Sequence, residues 1–306
     1  MANNKEGPTG QTGRAGYTLS PPGYRLPDGL ALGPVSLQVG DLDRSLAYYD
    51  RVLGLRVLQR DGDEATLGSG EDERPLVVLR ERRGATPVPR RGRLGLYHYA
   101  ILLPDRASLG RFAGHLAALG EYAGMADHLV SEAFYLTDPD GLGIEVYADR
   151  PASSWSVRGG KLAMATDPLD LEDLARAAGA GRWQGVPAGT RLGHIHLYVD
   201  DLGRAGDFYH RGLGLDRINL EFPGALFMSA GGYHHHLGTN TWAAGAPEAE
   251  EGDARLLEWR IQLPGSGDVA GAAQSLAAAG YRVEHSGSDA LATDPWGTKL
   301  RLTVVE

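Results

Sequence analysis

One pattern, a strand, a helix and three further strands, recurs four times along this chain and constrains the fold more than any other feature. Its four openings are "LGPVSLQVGDLDRSLAYYDRVLGL" at 32–55, "LGLYHYAILLPDRASLGRFAGHLAALG" at 94–120, "LGHIHLYVDDLGRAGDFYHRGLGL" at 192–215 and "RLLEWRIQLPGSGDVAGAAQSLAAAG" at 255–280. In the first, "PVSLQV" alternates apolar and polar residues between glycines, as a half-buried strand does. Leu42, Leu46, Tyr49 and Leu53 then recur at helical spacing, with Asp41 or Asp43 as the capping residue and Gly54 as the stop. "RVLQRD", "EATLGS" and "LVVLRE" complete the unit as short strands. The later units run over about 94–148, 191–242 and 255–305.

A single unit cannot bury its own sheet face, because four twisted strands and one helix leave one side bare. The expected fold is therefore α+β: four βαβββ modules forming two curved half-barrel sheets, with helices outside and a pocket on each concave side. Residues 1–29 are expected to be a disordered leader. Residues 30–150 form a first domain (modules one and two) and 191–306 a second (modules three and four). Between them, 151–190 is an ordered crossing segment, since it carries Trp155, Leu169, Leu171, Leu174 and Trp183 and a short helix in "LDLEDLARAAGA". The N-terminus lacks the apolar stretch of a signal peptide, and no apolar run approaches the roughly 18 residues of a membrane helix, so a cytoplasmic location is expected. A net charge of -9 disfavours nucleic acid and anionic membranes as partners. The absence of cysteine removes disulfides, thiolate ligands and a cysteine nucleophile, so any metal must be held by nitrogen and oxygen.

When the units are aligned on their first strands, Pro34, His98, His194 and Glu258 (or Leu257) coincide. Aligned on their last strands, with "DPDG" (138–141) against "DPWG" (294–297), Glu145 falls opposite Arg301. Only units two and three carry a histidine at the first of these positions, and only unit two carries an acid at the second. His98, His194 and Glu145 can together close one face of an octahedral ion and leave positions open, which is the non-haem iron(II) arrangement; manganese, zinc and nickel are the alternatives. A salt bridge to an arginine is the competing explanation for Glu145, because an unpaired buried carboxylate is costly. His196 shares a strand face with His194, and the alignment favours His194 as the ligand.

The strings "GLYHYAILLPDR", "DHLVSEAFYLTDPDGLGIEVYADRP", "LGHIHLYVDDL" and "ALFMSAGGYHHHLGTNTW" resemble the vicinal oxygen chelate superfamily, in particular its bacterial extradiol dioxygenases of the catechol 2,3-dioxygenase type. That resemblance implies opening of a catechol-like aromatic diol with O2 at iron(II). It carries the ligand roles onto His98, His194 and Glu145, and further roles onto His128, Tyr135 and the cluster His234–His236, one of which would be the base. The chain departs from the better-known extradiol enzymes, whose ligands come from the third and fourth modules: here the fourth is stripped and the second equipped, so module two is expected to meet module three and module one module four; a sequential pairing would separate His98 from His194. Read as a strand, "YHHH" puts His234 and His236 on one face and His235 on the other, and matching "GGYHHHL" to "DGLGIEV" sets His236 where Glu145 sits. His236 as a fourth ligand would suit a glyoxalase-like lyase or isomerase on zinc or nickel. A third reading is a non-catalytic binder of an aromatic antibiotic. An exposed sheet edge leaves room for a homo-oligomer.

Overall fold

A computed structural model describes residues 16–305. Its main elements fall into four groups, as the repeat requires. Module one contains β1 (Val35–Val39), α1 (Leu42–Tyr48, continued to Leu53 as a wider helical turn), β2 (Arg56–Asp61), β3 (Glu64–Gly68) and β4 (Pro75–Glu81). Module two contains β5 (Gly95–Leu102), α2 (Arg106–Leu119), β6 (Gly124–Asp127), β7 (Ser131–Thr137) and β8 (Gly143–Asp149). The crossing segment carries α3 (Leu171–Ala178). Module three has β9 (Arg191–Tyr198), α4 (Leu202–Ala205, continued to Gly212), β10 (Asp216–Ile218), β11 (Ala225–Ser229) and β12 (Leu237–Asn240). Module four has β13 (Arg255–Leu263), α5 (Ser266–Ala278), β14 (Val283–Ser286), β15 (Asp289–Thr293) and β16 (Lys299–Val304).

The caps are the expected ones. Asp41 accepts from the Arg44 N–H at 2.9 Å, and Gly54 ends the first helix at φ 75°. A side chain at Gly54 would also run into Gly185 of the crossing segment, 2.6 Å from the position a Cβ would take, so this stop doubles as a packing point. Asp138 and Asp294, the first residues of the two aligned turns, each accept two backbone N–H groups at 2.7–2.9 Å and close the last hairpins.

The sheets do not follow the sequence halves. One runs β10-β11-β12-β9-β5-β8-β7-β6 and so joins modules three and two, with the short strand Thr18–Leu19 added at its edge. The other runs β14-β15-β16-β13-β1-β4-β3-β2 and joins modules four and one. Each half of the chain, 30–150 or 191–306, thus gives one module to each sheet. Successive modules still touch. Tyr49 of the first helix donates to Asp138 in the module-two turn, and Tyr209 of the third donates to Asp294 in the module-four turn.

Of the leader expected over 1–29, residues 1–15 lie outside the described residues, and the rest is packed. Leu26 is 1% exposed, its N–H donates to the Gly214 carbonyl, and Arg25 grips Asp216 with two bonds of 2.6 and 2.8 Å. That guanidinium–carboxylate fork and the buried leucine hold this stretch against module three.

The period-2 alternation sorts β5, β8 and β9 into two faces. Tyr99, Ile101, Ile144, Val146, Ile195 and Leu197 enter the main core with Leu109, Phe112 and Leu116 of α2. His98, Ala100, Glu145, Tyr147, His194 and His196 take the opposite, concave face.

Candidate metal centre and its cavity

Three central strands set the geometry. β9 runs antiparallel to β5, with His196 opposite His98 and His194 opposite Ala100. β8 runs parallel to β5 on the other side, with Glu145 beside Ala100. One alanine therefore has a ligating residue on each flank, and His98 lies two residues away on the same face. A bulge between Leu192 and His194 adjusts the register there. Gly193 at that bulge admits no side chain. A Cβ would overlap the Tyr147 hydroxyl and sit 2.7 Å from the ring carbon that bears it.

The three candidate ligand atoms converge. His98 Nε2 and His194 Nε2 lie 3.3 Å apart, and Glu145 Oε2 is 3.0 Å from each. All three side chains are buried. Ligands held ~2.1 Å from one ion at angles near 90–105° have these mutual spacings, so the set fits a first-row divalent metal. Both Nδ1 atoms are buried without a hydrogen-bond partner among the described residues. The rings are instead oriented by packing: His98 against Tyr97 at 4.5 Å between centroids, and His194 against His235 at 4.1 Å. Burial pushes the His194 imidazolium down to about 4, against the pull of Glu145, so its lone pair is free at neutral pH. Burial would raise Glu145, but the imidazoles of His194 and His98 prevail and hold it well below the usual carboxylate range. Neutral imidazoles and an ionised carboxylate are the states a divalent cation takes.

The cavity above these atoms measures about 380 Å3, within the usual range of small-molecule sites. His128 and Tyr135 both line it and are bonded to each other. His128 Nδ1 donates to the Ala165 carbonyl at 2.6 Å, which leaves Nε2 to accept from the Tyr135 hydroxyl at 2.6 Å. Tyr135 is within hydrogen-bonding reach of Glu145, and burial followed by that charge raises its phenol well above 10.

The 234–236 histidines depart from the expected strand. Gly231 and Gly232 adopt left-handed φ values of 65° and 76°, turning the chain, so β12 starts only at Leu237. Of the three, His235 lines the cavity; His234 and His236 do not. His234 bonds Asp149 at 2.8 Å and the His235 ring at 2.8 Å. The His236 ring nitrogen is engaged by Ser229 Oγ at 3.1 Å and the Ala230 N–H at 3.3 Å. The pairing register explains why His236 lies outside the His98, Glu145 and His194 cluster. Leu237 lies beside Ile195 as Ile144 lies beside Tyr99, so the residue matching Glu145 is Gly238. His196, which lines the cavity and which the sequence weighed only as a rival ligand, fills that space: a Cβ on Gly238 would sit 2.9 Å from its ring. Asn240 fixes His196 through Nε2 at 2.9 Å.

The other sheet answers the same positions differently. Glu258 stands where His98 does and Arg301 where Glu145 does, since Arg260 pairs with Arg301 as Ala100 pairs with Glu145. Arg301 grips Glu258 with bonds of 2.8 and 2.7 Å, and Arg260 adds one of 3.0 Å. Among the described residues, His98, Glu145 and His194 form the one cluster able to hold an ion.

The sequence profile of the Glyoxalase/Bleomycin resistance protein/Dioxygenase superfamily matches residues 31–146 and 191–302. The chain belongs to this superfamily. Within it, the chain is 42% identical over 267 residues to a catechol-2,3-dioxygenase of Bacillus subtilis (strain 168), a match covering 86% of this chain and 93% of the relative. By that relationship it is a dioxygenase-like enzyme. The superfamily fold recurs in a candidate dioxygenase of Bacillus subtilis (15% identity, TM-score 0.63, 92% of this chain and 86% of that one). It recurs also in glyoxalase I from Zea mays (20% identity, TM-score 0.54, 90% and 92%). No described helix is long and apolar enough to cross a membrane.

Proposed function

We propose that this chain is an extradiol dioxygenase, opening the ring of a catechol-like diol beside its two hydroxyls with O2, at iron(II) held by His98, His194 and Glu145. The observation that carries this reading is the convergence of two imidazoles and one carboxylate at the wall of a cavity lined by aromatic side chains. When bound, iron(II) supplies the redox coupling between an electron-rich catecholate and O2 that amino-acid side chains lack. In the overall reaction one ring carbon–carbon bond breaks, and both oxygen atoms enter the product as one new carbonyl and one carboxyl oxygen.

The protein's own groups have separate tasks. Phe222, Phe227 and Trp242 form an apolar wall that excludes water and takes a planar ring. His235, kept neutral by burial and stacked on His194, is the candidate acceptor for a catechol proton. The His128–Tyr135 pair can hold one extra proton. Once Nε2 of His128 is protonated it donates to the tyrosine oxygen, and the phenol hydrogen turns towards the cavity to stabilise charge on substrate oxygen.

A glyoxalase-like reading would call for a fourth ligand. His236, its candidate, is bonded to Ser229 and Ala230 instead. The test is air-free purification, metal analysis and oxygen uptake with catechol. Iron near one per chain with a yellow ring-opened product supports the proposal. Zinc or nickel without oxygen uptake refutes it.

A further inference from the structure

A second chamber of about 440 Å3 adjoins the metal cavity and shares Arg90, Tyr97, His98 and Tyr135 with it. Its charged lining is unbalanced: Arg90, Arg91 and Arg93, with no carboxylate. Arg93 is neutralised by Asp253 at 2.6 Å, whereas Arg90 and Arg91 have no carboxylate partner among the described residues. Two uncompensated cations are notable in a chain of net charge -9.

Their backbone is held with care. The Gly92 N–H donates to the Pro89 carbonyl at 2.8 Å, closing a turn with Arg90 and Arg91 at its tip, and the Val88 N–H donates to the Asp140 carbonyl at 2.8 Å. Arg91 occupies the third turn position at φ 59°, left-handed backbone that glycine adopts without cost. Arginine at such a place, beside the Tyr198 hydroxyl, costs conformational energy that side-chain packing does not return, since both arginines are exposed.

We infer that the substrate is a catechol carrying a carboxylate side chain, with its ring in the metal cavity and its carboxylate between Arg90 and Arg91. The inference rests on the dioxygenase reading above. Guanidinium forks match carboxylate geometry, and Tyr97 and Leu96 give the intervening chain an apolar wall.

Two substrate pairs test it: 3-(2,3-dihydroxyphenyl)propionate against 3-propylcatechol, and 3-(3,4-dihydroxyphenyl)propionate against 4-propylcatechol. Oxygen uptake gives kcat/KM, and air-free calorimetry gives binding. In one pair the acid should be preferred about tenfold or more, mainly through KM, with the margin shrinking in salt. In R90Q/R91Q that ratio should fall to near unity. R91G, which relieves the left-handed residue and so keeps its melting temperature, should lower it too. A ratio near unity in both pairs for the unaltered enzyme, or a ratio untouched in the double variant, overturns the inference while the dioxygenase reading stands. No oxygen uptake with any of the four compounds overturns both.

Discussion

Replacing Gly193 by alanine tests whether a packing constraint next to a ligand governs the metal centre. The added methyl would overlap the Tyr147 hydroxyl and lie 2.7 and 3.0 Å from two atoms of its ring. Tyr147 has no room to retreat. It is 0% exposed, and its hydroxyl is 2.7 Å from that of Tyr233, which in turn bonds Asp149 at 3.0 Å. Overpacking of this kind costs about 1–3 kcal/mol. Breaking the Tyr147–Tyr233 bond adds about 1 kcal/mol. G193A should therefore lose ~2–4 kcal/mol in denaturant unfolding of the metal-free protein, and metal affinity should weaken with it because His194 is the next residue. Y147F removes the overlapping oxygen but leaves the ring carbon in place. In the G193A background it should recover part of the loss, giving a coupling energy of roughly 1 kcal/mol. G193A within about 0.5 kcal/mol of the unaltered protein, or strict additivity with Y147F, would refute this account of the bulge.

Further outcomes follow from the site. E145A should retain less than about a tenth of the metal after dialysis, read by elemental analysis, because two neutral imidazoles remain without the carboxylate. H235Q should lower kcat by about 100-fold or more, whereas H236Q should act mainly on stability; equal kinetic losses in both would contradict the placement of His235 in the cavity. Y135F should lower kcat by about tenfold or more with little change in metal content. The metal-free protein should lose stability as pH falls below about 6.5, the unfolded histidine value, and the share of the loss carried by His194 and His236 should be complete near 3–4. Burial holds folded His194 at about 4 and His236 at about 3, so the unfolded chain binds protons that the folded chain refuses. By pH 5 each contributes about 2 kcal/mol of this loss, measurable by unfolding at successive pH values, and a flat profile would contradict it.

The repeat was legible because alternation and helical spacing are local, and they fix every module from Val35 to Val304. The candidate ligand cluster was legible for a related reason. His98, His194 and Glu145 stand out only against Pro34, Glu258 and Arg301 at matched positions, and that contrast also required modules two and three to meet. What escaped the sequence reading was register. Gly231 and Gly232 could be read as a bulge inside a strand, but they turn the chain completely, which moves the histidines off β12 and brings Gly238 level with Glu145. Tyr17 to Leu30 escaped for the opposite reason. Their composition resembles a linker, while a few side chains, chiefly Arg25 and Leu26, dock through contacts with residues nearly two hundred positions away.

Glu258 and Arg301 give the second sheet a property the first lacks. Each sheet brings one acid into the matched set of positions, Glu145 in the first and Glu258, in the place of His98, in the second, and acid in an apolar surround demands a counter-cation. In the first sheet that cation would be a metal ion taken up from solution, subject to chelators and competing ions. In the second it is a guanidinium, part of the chain and always charged. One half of the molecule is therefore insured against metal starvation. Through the Tyr49–Asp138 and Tyr209–Asp294 joints it can act as a permanent template on which the other half keeps its shape until an ion returns.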